Sequence, residues 1–430
     1  VIPVRFILAD LRRLWLGGLM IVLLIALATA LGIAVNLQER ALRLGSARAA
    51  DRFDLVVGAA GSETQLVLSA VFLQASPLPL MPGSVLKGLS EDPRVAWAAP
   101  VGFGDNFEGM PIVGTTAEFV TDGGRLKPSE GRAFTAFDEA VIGARVRLSM
   151  GDVVKPMHGL AGMSGHTHTE LSYRVVGRMP ATGTPWDRAI LVPIEAVWLI
   201  HGLKPHGDGA AASHDDHDAP APTMPFTGSP GERIDLKPIV PPDHIGPPWA
   251  EGGPGLPAII VKGKTIADAY RLRNAYRQGA TVGVFPAEVL TRLYGTLGDA
   301  RLVLSAIAIG TEALVAAAVM LVTAVHLSQR RRQIGALRAL GAPRAAIFAI
   351  VWIEIMVLIG IGVAAGVGIG FAAAKMMAGL FTQASGIALP VDLTGADLGF
   401  AGLLLAVAAL VAAIPAFLAY RESPAAALRG

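Results

Sequence analysis

The nine histidines of the chain are unevenly placed: all but His326 fall between His158 and His244. Two groups have ligand character. In HTHTE, His166, His168 and Glu170 alternate, so a strand would turn all three side chains to one face. In SHDDHD, His214, Asp215, Asp216, His217 and Asp218 crowd together, with His201 and His206 upstream. Neutral imidazole and carboxylate are donors that suit Zn²⁺, Cu²⁺ or Ni²⁺. The expected metal ligands are His166, His168, Glu170, His206, His214, Asp215 and His217, with zinc or another transition metal as the ion. The alternative is a polar loop that happens to be rich in histidine. No HExxH occurs, so a hydrolytic zinc centre is not expected.

Other chemistry is excluded by composition or spacing. The chain has no cysteine, which rules out disulfides, cysteine-held metals and thiol catalysis. Gly263, Lys264 and Thr265 form a GKT triplet, but Ala258 stands where a phosphate-binding loop needs its first glycine. A net charge of +2 gives no electrostatic footprint for nucleic acid. Two carboxylates, Glu312 and Glu354, lie inside long apolar runs. A charge in lipid is costly and turns to the bundle interior. A structural or coupling contact is the reading taken for both, with an ion or proton path as the alternative.

These residues must be positioned by a membrane protein. Of the residues, 53% are hydrophobic and 16% charged, against about 25% charged in soluble domains. Four runs, 16–36, 301–326, 345–375 and 398–420, exceed the roughly 20 apolar residues that cross a bilayer. The first carries Ala28, Thr29 and Ala30, a signal-cleavage pattern, yet stays apolar through Val35, so an uncleaved anchor is expected. The third exceeds the minimum, which predicts tilt or extension beyond the membrane. Its stretch GIGVAAGVGIGFAAA permits close helix packing, in the bundle or a dimer.

Arginines set the orientation. Arg5, Arg12 and Arg13 precede the first run, Arg330, Arg331, Arg332, Arg338 and Arg344 lie between the second and third, and Arg421 and Arg429 follow the fourth. Four spans put these regions on one side, which the positive-inside rule makes the cytoplasm. Arg40, Arg43 and Arg48 weaken the contrast, but a large domain translocates largely regardless of charge. Residues 37–300 are thus expected outside. In the basic loop 327–344, Ile334, Leu337 and Leu340 recur at spacing three, Gly341 fits a helix stop and Pro343 follows. The loop reads as a short amphipathic helix: a docking element for a partner, or a topology marker only.

Within 37–300 the pattern is mixed. A helix is expected to continue from the first span, followed by a strand over 53–57. PRVAWAAPVGF, MPIVGTT, AVIGARVR, SYRVVGRM and GLPAIIVKG read as strands between Gly and Pro turns, and 266–278 reads as a helix. Two lobes are expected, with a β-rich one near 125–255. Residues 202–257, rich in Gly, Pro, Ala, His and Asp, cannot bury a core and read as a long loop.

Three stretches carry a family resemblance. QRRRQIGALRALGAPRAAI resembles the segment after the second span of FtsX/MacB/LolC-type ABC transporter permeases, a mechanotransmission class. DRFDLVVGAAGSETQLVLSAVF resembles the opening of the MacB-like periplasmic domain. ESPAAALRG, with Pro424, Ala425, Ala427, Leu428 and Arg429, resembles the family's ending. The resemblance implies four transmembrane α-helices with a large mixed α/β extracytoplasmic domain between helices one and two. It further implies an amphipathic segment over 1–15, a short periplasmic loop over 376–397, a cytoplasmic tail over 421–430 and a bacterial inner-membrane location. It makes the chain a non-catalytic permease subunit, paired with a second copy and seated on a cytosolic ABC ATPase dimer that binds ATP and magnesium. Arg330, Arg331, Arg332, Gln333, Ile334, Leu337, Arg338, Leu340 and Gly341 would then form the coupling helix. The histidines tilt the expected cargo toward zinc, with a periplasmic binding or carrier protein as a further partner. The alternatives are metal sensing without an ATPase, lipoprotein or small-molecule export, and regulation of a cell-wall hydrolase.

Overall fold

The computed structural model describes residues 15–74, 76–158, 171–203, 241–296 and 341–421, with isolated positions 12, 306, 309, 310, 313, 317, 320 and 336. Along the chain run α1 (Trp15–Ala50), β1 (Leu55–Ala59), α2 (Glu63–Ala70), α3 (Ser84–Glu91), β2 (Val95–Phe107), β3 (Met110–Thr115), α4 (Ala117–Thr121), β4 (Glu130–Gly131) and β5 (Glu139–Ile142). Then come β6 (Val153–Val154), β7 (Met157–His158), β8 (Tyr173–Arg178), a 3-10 turn (Pro185–Arg188), β9 (Ile190–Pro193) and α5 (Ile194–Ile200). The remainder is β10 (Ala258–Gly263), α6 (Ile266–Ala275), β11 (Thr281–Val284), α7 (Pro286–Thr296), α8 (Arg344–Ser385) and α9 (Gly395–Arg421). Two units result: residues 46–293 with 383–388, and residues 1–45 with 294–382 and 389–430.

The first of these is an α/β unit built on one sheet in the order β11-β1-β10-β2-β3-β9-β5-β8-β4, with β6 on β8 and β7 on β2. The pairs β3–β9 and β5–β8 are parallel and the rest antiparallel. Both faces of the sheet are covered. Leu55 and Val57 belong to one apolar cluster and Val56 to another, and Val113 and Leu191 likewise part from Ile112, Ile190 and Val192. Strand side chains alternate between faces, so a run such as LVV feeds both clusters at once. Each such side chain contributes about 1.5–3 kcal/mol on full burial.

Sequence expectations are adjusted in three places, and the strands of the two expected lobes share one long strand, β2, of 13 residues. Its first half pairs with β10 and its second with β3, with a register shift between Gly102 and Asp105. The first strand starts at Leu55 rather than residue 53, since the Phe53 N–H closes the turn after α1 on the Ala50 carbonyl at 3.0 Å. AVIGARVR is strand only through Ile142; the Val146 N–H then turns back to the Gly143 carbonyl at 3.1 Å. The helix over 266–278 stops at Ala275, where the Tyr276 N–H closes the last turn on Leu272. Its start is a capping arrangement: Thr265 Oγ1 accepts from the Asp268 N–H at 3.1 Å and donates to Asp268 Oδ2 at 2.7 Å.

In the other unit, α1, α8 and α9 each hold a segment long and apolar enough to cross a membrane. With 36 residues α1 is about 54 Å long and with 42 residues α8 is about 63 Å, so both outrun a hydrocarbon layer of roughly 30 Å. The expected span 301–326 lies, apart from isolated positions, outside the described residues. Buried positions on α8 recur every fourth residue, along Ile347, Val351, Ile355, Ile359 and Val363 and along Gly362, Gly366, Gly370, Ala374 and Ala378. These are i+4 ridges of the kind that interdigitate between helices. Leu16, Leu19, Leu23, Leu27 and Leu31 form an exposed apolar face on α1.

Candidate functional site

Most residues singled out from sequence lie outside the described residues: Arg330, Arg331, Arg332, Gln333, Ile334, Leu337, Arg338, Leu340, Glu312, His166, His168, Glu170, His206, His214, Asp215 and His217. Among the described residues no three His, Asp or Glu side chains converge on a metal position. Two of the expected positions are described. Gly341 has φ +93°, a left-handed conformation that suits glycine at a helix stop. Pro343 follows and its carbonyl accepts from the Ala346 N–H at 3.0 Å in the first turn of α8. Glu354 is buried on α8 and has an interaction partner.

The small-residue stripe of α8 meets α1 of the same chain. A Cβ on Gly362 would lie 2.8 Å from Ile25 Cβ, one on Gly366 2.6 Å from Thr29 Cβ, and one on Gly370 2.7 Å from the Ala30 carbonyl oxygen. Gly360 and Gly368 on other faces of α8 would meet nothing within 4 Å. The glycines at spacing four therefore let two backbones approach closely, the arrangement that association in lipid favours. The start of α9 is fixed by Asp397, whose Oδ2 accepts from the Thr394 N–H at 2.7 Å and hydroxyl at 2.8 Å. The Trp352 indole N–H donates to the Ala409 carbonyl at 3.0 Å, joining α8 to α9.

Residues 383–388 follow α8 through its last turns, yet they belong to the α/β unit. They dock on the turn over 182–188. The Ala388 N–H donates to the Gly183 carbonyl at 3.1 Å, and the Arg188 guanidinium donates to the Ala384 carbonyl. Gly386, at φ +80°, sits so close that a Cβ would be 2.9 Å from Pro185 Cα and from the Thr184 carbonyl oxygen. The turn itself is held by Asp187, which is buried. Its carboxylate accepts from the Thr182 N–H at 2.7 Å, the Thr182 hydroxyl at 2.6 Å and the Gly183 N–H at 2.9 Å. Sequence reasoning missed this turn. Its signal is the run TGTPWD, in which threonine, proline and aspartate are turn formers for separate reasons.

Comparison with known proteins gives one family match and two distant structural alignments. Residues 305–425 match the model of the FtsX-like permease C-terminal family. The periplasmic region of MacB from Actinobacillus actinomycetemcomitans aligns at 10% identity and a TM-score of 0.31, over 56% of this chain and 92% of that one. The extracellular domain of the noncanonic ABC-type transporter YknZ from Gram-positive bacteria aligns at 12% identity and a TM-score of 0.28, over 54% and 98%. A search of curated proteins gave no match. Over residues 305–425 the chain is thus similar to the C-terminal domain of FtsX-like permeases.

Proposed function

We propose that the chain is the permease subunit of an ABC transporter that passes movement, driven by a separate ATPase, to its α/β unit. The observation that carries this reading is the FtsX-like match over 305–425, which contains the basic stretch and the apolar runs on either side of it. ATP and magnesium are bound by the partner. Two copies of the chain sit on two ATPase subunits at a bacterial inner membrane, with residues 37–300 in the periplasm. Arg330 to Gly341 form the docking helix. The chain enters the α/β unit by α1, by the segment before Tyr294 and again through 383–388, so movement of the helices has several covalent routes into it. The test is co-purification of the full chain with its ATPase. Charge reversal at Arg331 and Arg338, or Gly341→Pro, abolishes the association; unchanged association removes the docking site, and ATP hydrolysis by the chain alone removes the reading.

The His and Asp cluster supports an additional role in transition-metal handling. His166, His168, Glu170, His206, His214, Asp215 and His217 supply the donors, and zinc suits them. Calorimetry of the full chain with Zn²⁺, compared with a chain lacking 204–219, tests it: equal affinity in both rejects the loop as the site.

A further inference from the structure

Asp105 stands on β2 beyond the end of its pairing with β10, where β7 becomes the neighbouring strand. Its side chain is 1% exposed. A carboxylate taken out of water needs a positive partner to offset its lost hydration. His201, which caps the C-terminal end of α5, faces it with Nε2 4.0 Å from Asp105 Oδ1. That separation is too long for a hydrogen bond. The tautomer of the ring is set from its other side. Nδ1 lies 2.8 Å from the Val197 carbonyl, which only accepts. The neutral ring therefore carries its proton on Nδ1 and turns the Nε2 lone pair toward the carboxylate.

Two acceptors so opposed are both satisfied by a cation between them. A ring N–H held by a backbone carbonyl is also how proteins orient histidines that ligate metals. Zinc bonds of about 2.0–2.1 Å put two ligand atoms of a tetrahedral ion about 3.3 Å apart, so His201 closes on Asp105 by less than about 1 Å. Its side chain is 27% exposed and gives the ion its way in. The strand register supplies a third ligand. His158, the last residue of β7, is directly opposite Asp105, and opposite residues of an antiparallel pair share a face. Two side chains and one register position thus bring two imidazoles and a carboxylate together. Ca²⁺ and Mg²⁺ take oxygen ligands, whereas two histidines and one carboxylate match three-ligand zinc sites that keep a fourth position for water.

We propose that Asp105, His158 and His201 form a site for Zn²⁺ or a similar transition-metal ion on the α/β unit. The site rests on the metal-handling reading above for the role of the ion, but not for its ligands, none of which lies in 204–219.

The experiment strips the full chain in detergent with a chelator and titrates it with Zn²⁺, read by calorimetry and thermal unfolding, and with Co²⁺, read by its visible absorption. The parent is expected to bind Zn²⁺, to unfold at a higher temperature with it, and to give Co²⁺ a spectrum of low-coordinate nitrogen and oxygen ligation. Asp105→Asn, His158→Gln and His201→Gln should each weaken Zn²⁺ binding by about tenfold or more and change that spectrum. Unfolding in chelator shows which variants are folded, and His201→Gln, at a partly exposed position, keeps the test open should Asp105→Asn not fold. Loss of binding in the point variants but not on deletion of 204–219 upholds this site and rejects the loop. Loss on the deletion with folded point variants that bind as the parent does overturns this site and leaves the loop. The proposal is also overturned if the full chain fails to bind Zn²⁺ at about 100 μM.

Discussion

Arg40 grips Asp397 through both carboxylate oxygens, with Nη1 3.1 Å from Oδ1 and Nη2 2.8 Å from Oδ2. The same guanidinium donates to the Thr394 hydroxyl at 3.1 Å and the Asp392 carbonyl at 2.5 Å. One side chain on α1 thus ties together the cap, the loop and the first turn of α9. The Asp397 side chain is 6% exposed and that of Arg40 21%, so this is a half-sheltered, bidentate pair rather than a surface one. Removing one partner leaves the other poorly solvated.

Arg40→Ala is therefore expected to destabilise the helical unit by about 2–4 kcal/mol, and Asp397→Asn by a similar amount. The two should be strongly non-additive in a double-mutant cycle read by denaturant unfolding in detergent, since both remove the same contact. Additive losses would mean that the pair contributes little and that the Thr394 cap carries the effect of Asp397.

The glycine stripe makes a positional prediction. Gly366→Leu places atoms where Thr29 Cβ and the Ala26 carbonyl already are, 2.6 and 2.7 Å from the new Cβ. Neither a helix backbone nor a branched side chain can give that much, so α1 and α8 must separate. Gly368→Leu, two residues on, meets nothing within 4 Å. The expected outcome is loss of a folded, monodisperse protein for Gly366→Leu and near-parent unfolding for Gly368→Leu. Equal tolerance of the two would remove the α1–α8 contact.

How much of this was legible in the sequence depends on the range of the interaction. Run length alone marked the apolar helices, and alternation marked β3, β8 and β10, because those signals are local. The stretch GIGVAAGVGIGFAAA announced close packing but not its partner: small residues serve a neighbour in the same chain or in a second copy equally well, and only the distances to Ile25, Thr29 and Ala30 choose the former. The docking of Gly386 on Pro185 has no periodic signature, since it joins residues from distant parts of the chain. The His and Asp cluster is the reverse case, conspicuous in composition while its convergence depends on geometry that spacing does not encode.

Glu139 gives the α/β unit an acid-sensitive joint. The Arg132 guanidinium holds its carboxyl down at about 2, against the opposing effect of burial, with help from the Thr135 and Ala136 N–H groups at 2.8 and 3.2 Å. A carboxylate depressed on folding contributes stability that is full above its unfolded value of about 4.3 and is lost as pH falls through about 2. Glu139→Gln should therefore lower the unfolding temperature at neutral pH, and the gap to the parent should close as the pH is taken from above 4.3 toward 2. A gap that persists unchanged at the acid end would assign the effect to packing rather than to charge.

The contact of 383–388 with the turn over 182–188 rests on Gly386, where two constraints coincide. Its φ of +80° is strained for any residue with a Cβ, and that Cβ would press on the Pro185 backbone at 2.9 Å. Gly386→Ala should cost about 1 kcal/mol or more from the backbone conformation alone, and the clash adds to it. Release of the segment frees the Gly183 carbonyl and the Arg188 guanidinium, so hydrogen exchange at the Ala388 N–H should quicken while the amides of β9, deep in the sheet, keep parent protection. Gly379→Ala, on a face of α8 with nothing within 4 Å, should leave the exchange of Ala388 as it is. If Gly386→Ala also leaves Ala388 protected, the segment is held by Arg188 and the buried Ile387 instead, and the double variant Gly386→Ala, Arg188→Ala becomes the one that frees it.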